Sequence, residues 1–212
     1  MSGGRIKKKE KLSIIEAQIL HRNLIEILYL PQVININTKI GMNSQNISFR
    51  LAKIAELSLA LSLLKEAAEW LQSKNTQQWS FWINPPQEKI AWIKEGFENE
   101  EFYFVYQNEI LLGMFRLMYF DAQYWGKRPD RFDKAAYVHS LTIKREFAGK
   151  GLGALFLQKI EDKLREEGIF KFRLDCMQSN LGLCQYYENQ DFVKVGEVKM
   201  SWAMQNLYEK KL

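Results

Sequence analysis

Three glycines, Gly149, Gly151 and Gly153, alternate within the stretch YVHSLTIKREFAGKGLGA, from Tyr137 to Ala154. Glycine lets a backbone close around an anion, because no Cβ stands between the chain and the ligand. Tyr137 to Ile143 reads as a strand. Directly after the glycines, Leu152, Leu155, Phe156, Ile160 and Leu164 recur at helical spacing. A strand, a glycine turn and a helix in that order aim the unpaired N–H groups of a helix start at a phosphate. The segment therefore predicts a pyrophosphate-bearing ligand.

Three phosphate-binding patterns compete for it. A P-loop needs Lys-Ser or Lys-Thr at the helix start, and Lys150 instead sits between glycines. A dinucleotide fingerprint needs a third glycine after Gly151 and Gly153, where Phe156 stands. The third pattern is the [RQ]-x-x-G-x-[GA] loop of the GNAT superfamily of N-acyltransferases, which Ala148, Gly149, Lys150, Gly151, Leu152 and Gly153 resemble, with Ala148 where the family has Arg or Gln. A second segment, Leu174 to Phe192 (LDCMQSNLGLCQYYENQDF), resembles the superfamily's N-x-x-A-x-x-L-Y-E-x-x-G-F. Asn180, Tyr187, Glu188 and Phe192 match it; Leu183 stands at the Ala, and Asp191 replaces the Gly. The likeness covers roughly residues 47–204.

The resemblance implies acetyl-CoA as co-substrate and no metal. The acetyl group would pass to a primary amine of a small molecule or peptide by direct attack in a ternary complex. It implies that Leu141 and Ile143 contact the pantetheine arm through main-chain groups, and that residues 148–153 hold the phosphates. Asn180 would bond the pantetheine or cap local backbone. Tyr187 occupies the position of the general acid for the departing thiolate; a helix aromatic packed on the sheet is the other reading. His139 matches one histidine of the H-x-H-x-L-x-V strand of serotonin N-acetyltransferase, with Tyr137 at the other. In a regular strand it shares a face with Leu141 and Ile143, and it could take the amine proton or be a structural histidine. Asp121 and Asp175 are further base candidates. Trp79, Trp82, Tyr124 and Trp125 would line an acceptor pocket or serve as core or lid. A non-catalytic module that binds acyl-CoA as a ligand or sensor is the alternative function, and Ala148 gives it some weight.

The elements that must position these residues are legible in outline. Apolar residues make up 47% of the 212, enough for one domain's core. Residues 1–46 read as a basic extension and 47–207 as the GNAT domain. Of the formal charge of +5, residues 1–41 carry +4, so the domain is close to neutral. The extension holds a Lys-rich tail, an amphipathic helix over Leu12 to Leu30 stopped by Pro31, and a weak strand over Val33 to Ile40. It reads as a docking or dimer arm, as a solvated tail with a packed helix, or as sequence upstream of a start at Met42. Its lysines lack the interleaved aromatics of a single-strand nucleic-acid platform. Glu16, Arg22 and Glu26 interrupt its apolar run, which excludes a membrane span there, and no cleavage site follows. Cytoplasm is the expected compartment. Cys176 and Cys184 are too few for a disulfide framework. Many members of the superfamily pair, so a homodimer is a further expectation from the resemblance.

Along the domain, the patterns predict a strand over Ile47 to Lys53 and helices over Ile54 to Leu71 and Gln87 to Glu95. The first helix should bury Leu57, Leu61, Leu64, Ala68 and Leu71. Strands follow over Glu101 to Tyr106 and Ile110 to Tyr119, then a polar aromatic loop over Asp121 to Lys134. After the glycine helix come a C-cap at Gly168, a strand over Phe170 to Cys176, a helix over Ser179 to Gln190 and a hairpin over Phe192 to Met204 bending near Gly196. This order is an α/β (mixed α+β) arrangement that matches the GNAT fold: a central mixed, mostly antiparallel sheet with flanking helices. The resemblance adds that the strands before the two motifs splay apart.

Overall fold

The computed structural model describes residues 46–126 and 134–212. The predicted tail, helix and strand of the extension lie outside the described residues, as do Arg128, Pro129 and Arg131 of the aromatic loop.

The described chain builds one seven-stranded sheet from β1 (Ile47–Leu51), β2 (Phe102–Gln107), β3 (Ile110–Met118), β4 (Ala135–Ile143), β5 (Lys171–Met177), β6 (Val193–Lys199) and β7 (Met204–Lys211). Their order is β1-β2-β3-β4-β5-β7-β6. Every pairing is antiparallel except β4 with β5. Five α-helices flank it: α1 (Leu57–Ser73), α2 (Gln87–Glu98), the single turn α3 (Ala122–Trp125), α4 (Leu152–Glu166) and α5 (Leu181–Glu188). The predicted element order holds, with α3 added inside the aromatic loop.

Helix α1 buries Leu64 and Ala68 as expected, but its packed face is rotated from the expected one. Ala60, Leu63, Leu64, Ala67 and Ala68 are buried, whereas Leu57, Leu61 and Leu71 are only partly so. Alanines let the helix lie close to the sheet, and the larger leucines flank that contact. With Ile93 and Phe97 of α2 they cover Phe102, Phe104 and Met114 of the sheet. Helix α2 comes nearer still. A Cβ on Gly96 would lie 2.7 Å from Arg116 Nε and from the Phe102 ring, so only glycine fits. Beneath it the buried Arg116 donates to Glu101 at 2.9 and 2.5 Å and to the Trp92 carbonyl at 3.0 Å. A cation this deep requires such partners. On α4, Phe156, Ile160 and Leu164 are fully buried.

The C-terminal hairpin also differs from expectation. Gly196 lies inside β6, at a register shift against β7, and the chain reverses later, where the Met200 N–H donates to the Ala203 carbonyl. β7 then runs to Lys211 along β5.

Strand β4 is irregular in two respects. Arg116 pairs with His139 and Met114 with Thr142, so β4 carries one extra residue, a bulge at which Ser140 takes a φ of 52°. The side-chain period of a strand is two, so one extra residue inverts the faces. His139 thus aligns with Thr142, and Leu141 and Ile143 fall on the opposite side, contrary to the regular-strand expectation. Secondly, β4 pairs with β5 only over Ala135–Val138 against Lys171–Leu174. Beyond that point β4 stays with β3 and β5 with β7, and a gap opens between them.

Candidate active site

A cavity of about 880 Å³ lies along this gap. Its walls come from β4, β5, the start of α4, α5, the connection between α1 and α2, and the β6–β7 turn.

One end is built on the glycine loop. Gly149 (φ 74°) and Gly151 (φ 75°) both adopt the left-handed conformation that side chains disfavour. Gly153 is needed for space, since a Cβ there would lie 2.5 Å from the Tyr186 hydroxyl. Gly151 is the N-cap of α4 and supplies no side-chain bond, so the first N–H groups of the helix face the cavity uncapped. Leu141, Ile143, Ala148, Gly149, Gly151, Leu152 and Gly153 all line the cavity; Lys150 does not, and its ammonium lies 5.3 Å from the Phe147 ring centroid. The expected guanidinium is absent at Ala148, but Arg145 is close by in the chain. Its guanidinium carbon lies 3.7 Å from the Trp70 ring centroid, and its buried Nε has no acceptor among the described residues. Burial lowers the pKa of Arg145, with Glu66 opposing. An under-compensated cation beside an uncapped helix start is where an anion binds best.

In the middle, Tyr187 lines the cavity while its ring packs on Phe192, Tyr208 and Tyr186 at centroid distances of 5.9, 6.0 and 5.8 Å. Burial, reinforced by Cys176 and Asp175, raises its pKa well above the phenol range. The Tyr186 hydroxyl is buried without a partner. Asn180 lines the wall with both amide ends engaged: Oδ1 accepts from the Leu183 N–H at 3.2 Å, capping α5, and Nδ2 donates to Gln78 at 2.8 Å. Cys176 and Cys184 are free thiols with sulfurs 3.6 Å apart.

At the other end His139 stands between two carboxylates. Nε2 is 3.0 Å from Asp121 Oδ2 and Nδ1 is 3.3 Å from Asp175 Oδ1. All three side chains are nearly buried, at 8%, 4% and 11% exposure. Asp121 also caps α3, accepting from the N–H groups of Gln123 and Tyr124. Burial depresses the imidazole pKa, but the Asp121 bond and the charge of Asp175 outweigh it, and the net shift is upward. Burial pushes Asp175 up to about 6, with Asp121 adding to the shift and His139 opposing it. His139 and Asp175 are thus both shifted upward, and their ionisations are linked. His139 also lines a second cavity of about 250 Å³, which Asp121 borders and Asp175 does not. Trp92 meets the imidazole edge-on at 6.0 Å and Tyr124 lies 5.2 Å from it. Of the four aromatics that would line a pocket or serve as core or lid, Trp79, Trp82 and Tyr124 line the main cavity and Trp125 packs on Tyr137 at 5.6 Å.

The acetyltransferase (GNAT) family matches residues 64–192. The chain belongs to that family. A curated relative, the "Uncharacterized N-acetyltransferase YesJ" of Bacillus subtilis (strain 168), is 28% identical over 154 residues, 71% of this chain and 82% of that protein. Among solved structures, a GNAT-family acetyltransferase from Listeria monocytogenes 4b F2365 aligns with a TM-score of 0.63 at 25% identity, covering 78% of this chain and 95% of the other. The ribosomal L7/L12 alpha-N-protein acetyltransferase RimL, solved in complex with coenzyme A, shares the fold at a TM-score of 0.57 and 16% identity, covering 79% and 94%. Arg145, Trp92, Lys89 and Trp202 line the cavity without belonging to either sequence motif. Only the contacts of the folded chain single them out.

Proposed function

We propose that the chain is an acetyl-CoA-dependent N-acetyltransferase that acetylates an amine by direct attack within a ternary complex. One observation carries this reading: a single cavity joins an uncapped, glycine-flanked helix start to the His139–Asp175 pair, backed by Asp121, across a gap in the sheet. The coenzyme A bound in RimL supports the choice of donor.

Gly149, Gly151 and the first N–H groups of α4 hold the pyrophosphate, and Arg145 supplies the cation that Ala148 lacks. Leu141 and Ile143, freed from pairing with β5, offer main-chain groups to the pantetheine arm. Leu152, Gly153 and Lys150 shape the loop, and Asn180 fixes the start of α5. The amine nitrogen forms its bond to the acyl carbon as the carbon–sulfur bond breaks. The nitrogen becomes more acidic as that bond forms, and the Asp175 carboxylate accepts its proton, while Asp121 holds the His139 ring in place beside it. Tyr187, kept protonated by burial, gives its proton to the departing thiolate.

The test is release of free CoA thiol from acetyl-CoA against a panel of amines, amino acids, polyamines and peptides, with donor binding followed by thermal shift. The reading expects turnover with at least one class. Donor-induced stabilisation with no turnover across the panel would leave a binding module and sink the transfer reading.

A further inference from the structure

Among the described residues two lysines line the main cavity, Lys74 and Lys89, and the ammonium of Lys89 lies against aromatic rings of its wall. Lys89 sits in the first turn of α2, half-buried, with its ammonium 3.9 Å from the ring centroid of Trp202 and 5.0 Å from that of Phe81. Both rings line the same cavity. Among the described residues no carboxylate comes within ion-pair distance of Lys89. Glu88 precedes it on the same wall and its charge is felt, but burial prevails and the ammonium pKa is lowered.

The helix ties this cation to the acid–base cluster. Trp92 lies three residues further along α2, on the same helical face, and packs on His139. The anion-binding elements of the donor, Arg145 and the start of α4, cluster separately around Trp70 and Tyr186. Lys89 therefore belongs to the acceptor's end. That end has two poles. Asp121 and Asp175 place two carboxylates around one imidazole, an environment that draws in an ammonium. Lys89 presents a cation that no carboxylate among the described residues pairs with.

We infer that the acceptor is a small amine that also carries a carboxylate, and that Lys89 receives the carboxylate while the amine faces Asp175. The inference rests on the acyl-transfer reading above and narrows it. A charge-assisted bond in a partly dry pocket selects for its partner, and a cation facing the same ammonium selects against diamines and polyamines.

The experiment compares matched acceptors that differ only in the carboxylate: phenylalanine with phenethylamine, and ornithine with putrescine. The expected result is a kcat/KM higher by about tenfold or more for each carboxylate-bearing member. K89M should bring that ratio close to one, and K89R should keep most of it. A wild-type ratio of one or below overturns the inference, as does a ratio that survives in K89M. The wild-type ratio decides alone if K89M does not fold. Turnover of plain amines only would overturn this inference and leave the proposed function standing. No turnover with any amine, although the donor binds, would overturn the function itself.

Discussion

The two ends of the cavity are made of different material. The donor end is mostly backbone: two left-handed glycines, a third glycine kept bare for the Tyr186 hydroxyl, and helix N–H groups with no cap. The other end, the proposed acceptor end, is almost all side chain: His139 from β4, Asp175 from β5, Trp92 and Lys89 from α2, and Trp202 from the last turn, with Asp121 behind His139. On the proposed reading, backbone holds the one ligand common to every turnover, and backbone geometry tolerates little variation. Side chains gathered from separate segments can be exchanged singly, so the acceptor can be altered without rebuilding the donor site.

This division makes the ends separable by mutation. The largest effect should come from Asp175→Asn, with kcat down by about 10² to 10⁴-fold while CoA still stabilises the protein. In the wild type kcat should rise with pH through about 6 as Asp175 ionises, and D175N should abolish that limb; a variant that keeps it would remove Asp175 from the reaction. Tyr187→Phe should cost about a hundredfold in kcat. Turnover at the wild-type rate would show that another group protonates the thiolate. Arg145→Met acts on the donor end only, so KM for acetyl-CoA should rise about tenfold with kcat little changed; an effect on the acceptor's KM alone would blur the comparison. Gly151→Ala, forced to a φ of 75°, should cost about 1 kcal/mol of stability, measurable by urea unfolding, and should weaken CoA binding in step.

The smallest effect is a pH dependence of stability. The folded pKa of Asp175, about 6, exceeds its unfolded value near 4, so folding favours the protonated form. That contribution is complete below about pH 4 and is lost as pH rises through about 6. The pKa of His139 is also raised, and its share is lost at higher pH, above its ordinary 6.5. Urea midpoints from pH 4 to 7 should show a falling component that D175N removes, and an identical slope in both proteins would refute it.

The same division explains what the sequence disclosed. Gly149, Gly151 and Gly153 are closely spaced, so a turn running into a helix start is visible in a line of text. Tyr187 and Asn180 share one short helix motif, and that helix is legible for the same reason. His139, Asp121 and Asp175 could each be named as a base, but their union into one cluster depends on β4 and β5 lying side by side. The inverted faces of Leu141 and Ile143 come from a bulge, which one strand's pattern does not encode. Gly196 resembled a turn, yet a glycine in a strand is equally at home at a register shift. Ala60 and Ala67 carried the packing of α1 although leucines dominate its periodicity. Arg145 and Lys89 lie in polar stretches and gain meaning only from the rings of Trp70 and Trp202.

The short parallel pairing of β4 with β5 has a mechanical consequence. Only Ala135–Val138 and Lys171–Leu174 stitch β1–β4 to β5–β7 within the sheet, which makes that seam the thinnest point of its cooperativity. A donor lying in the gap would touch both halves and act as a brace across them. Amide exchange should therefore slow on both sides of the seam when CoA is added, including at residues of β7 that never meet the ligand.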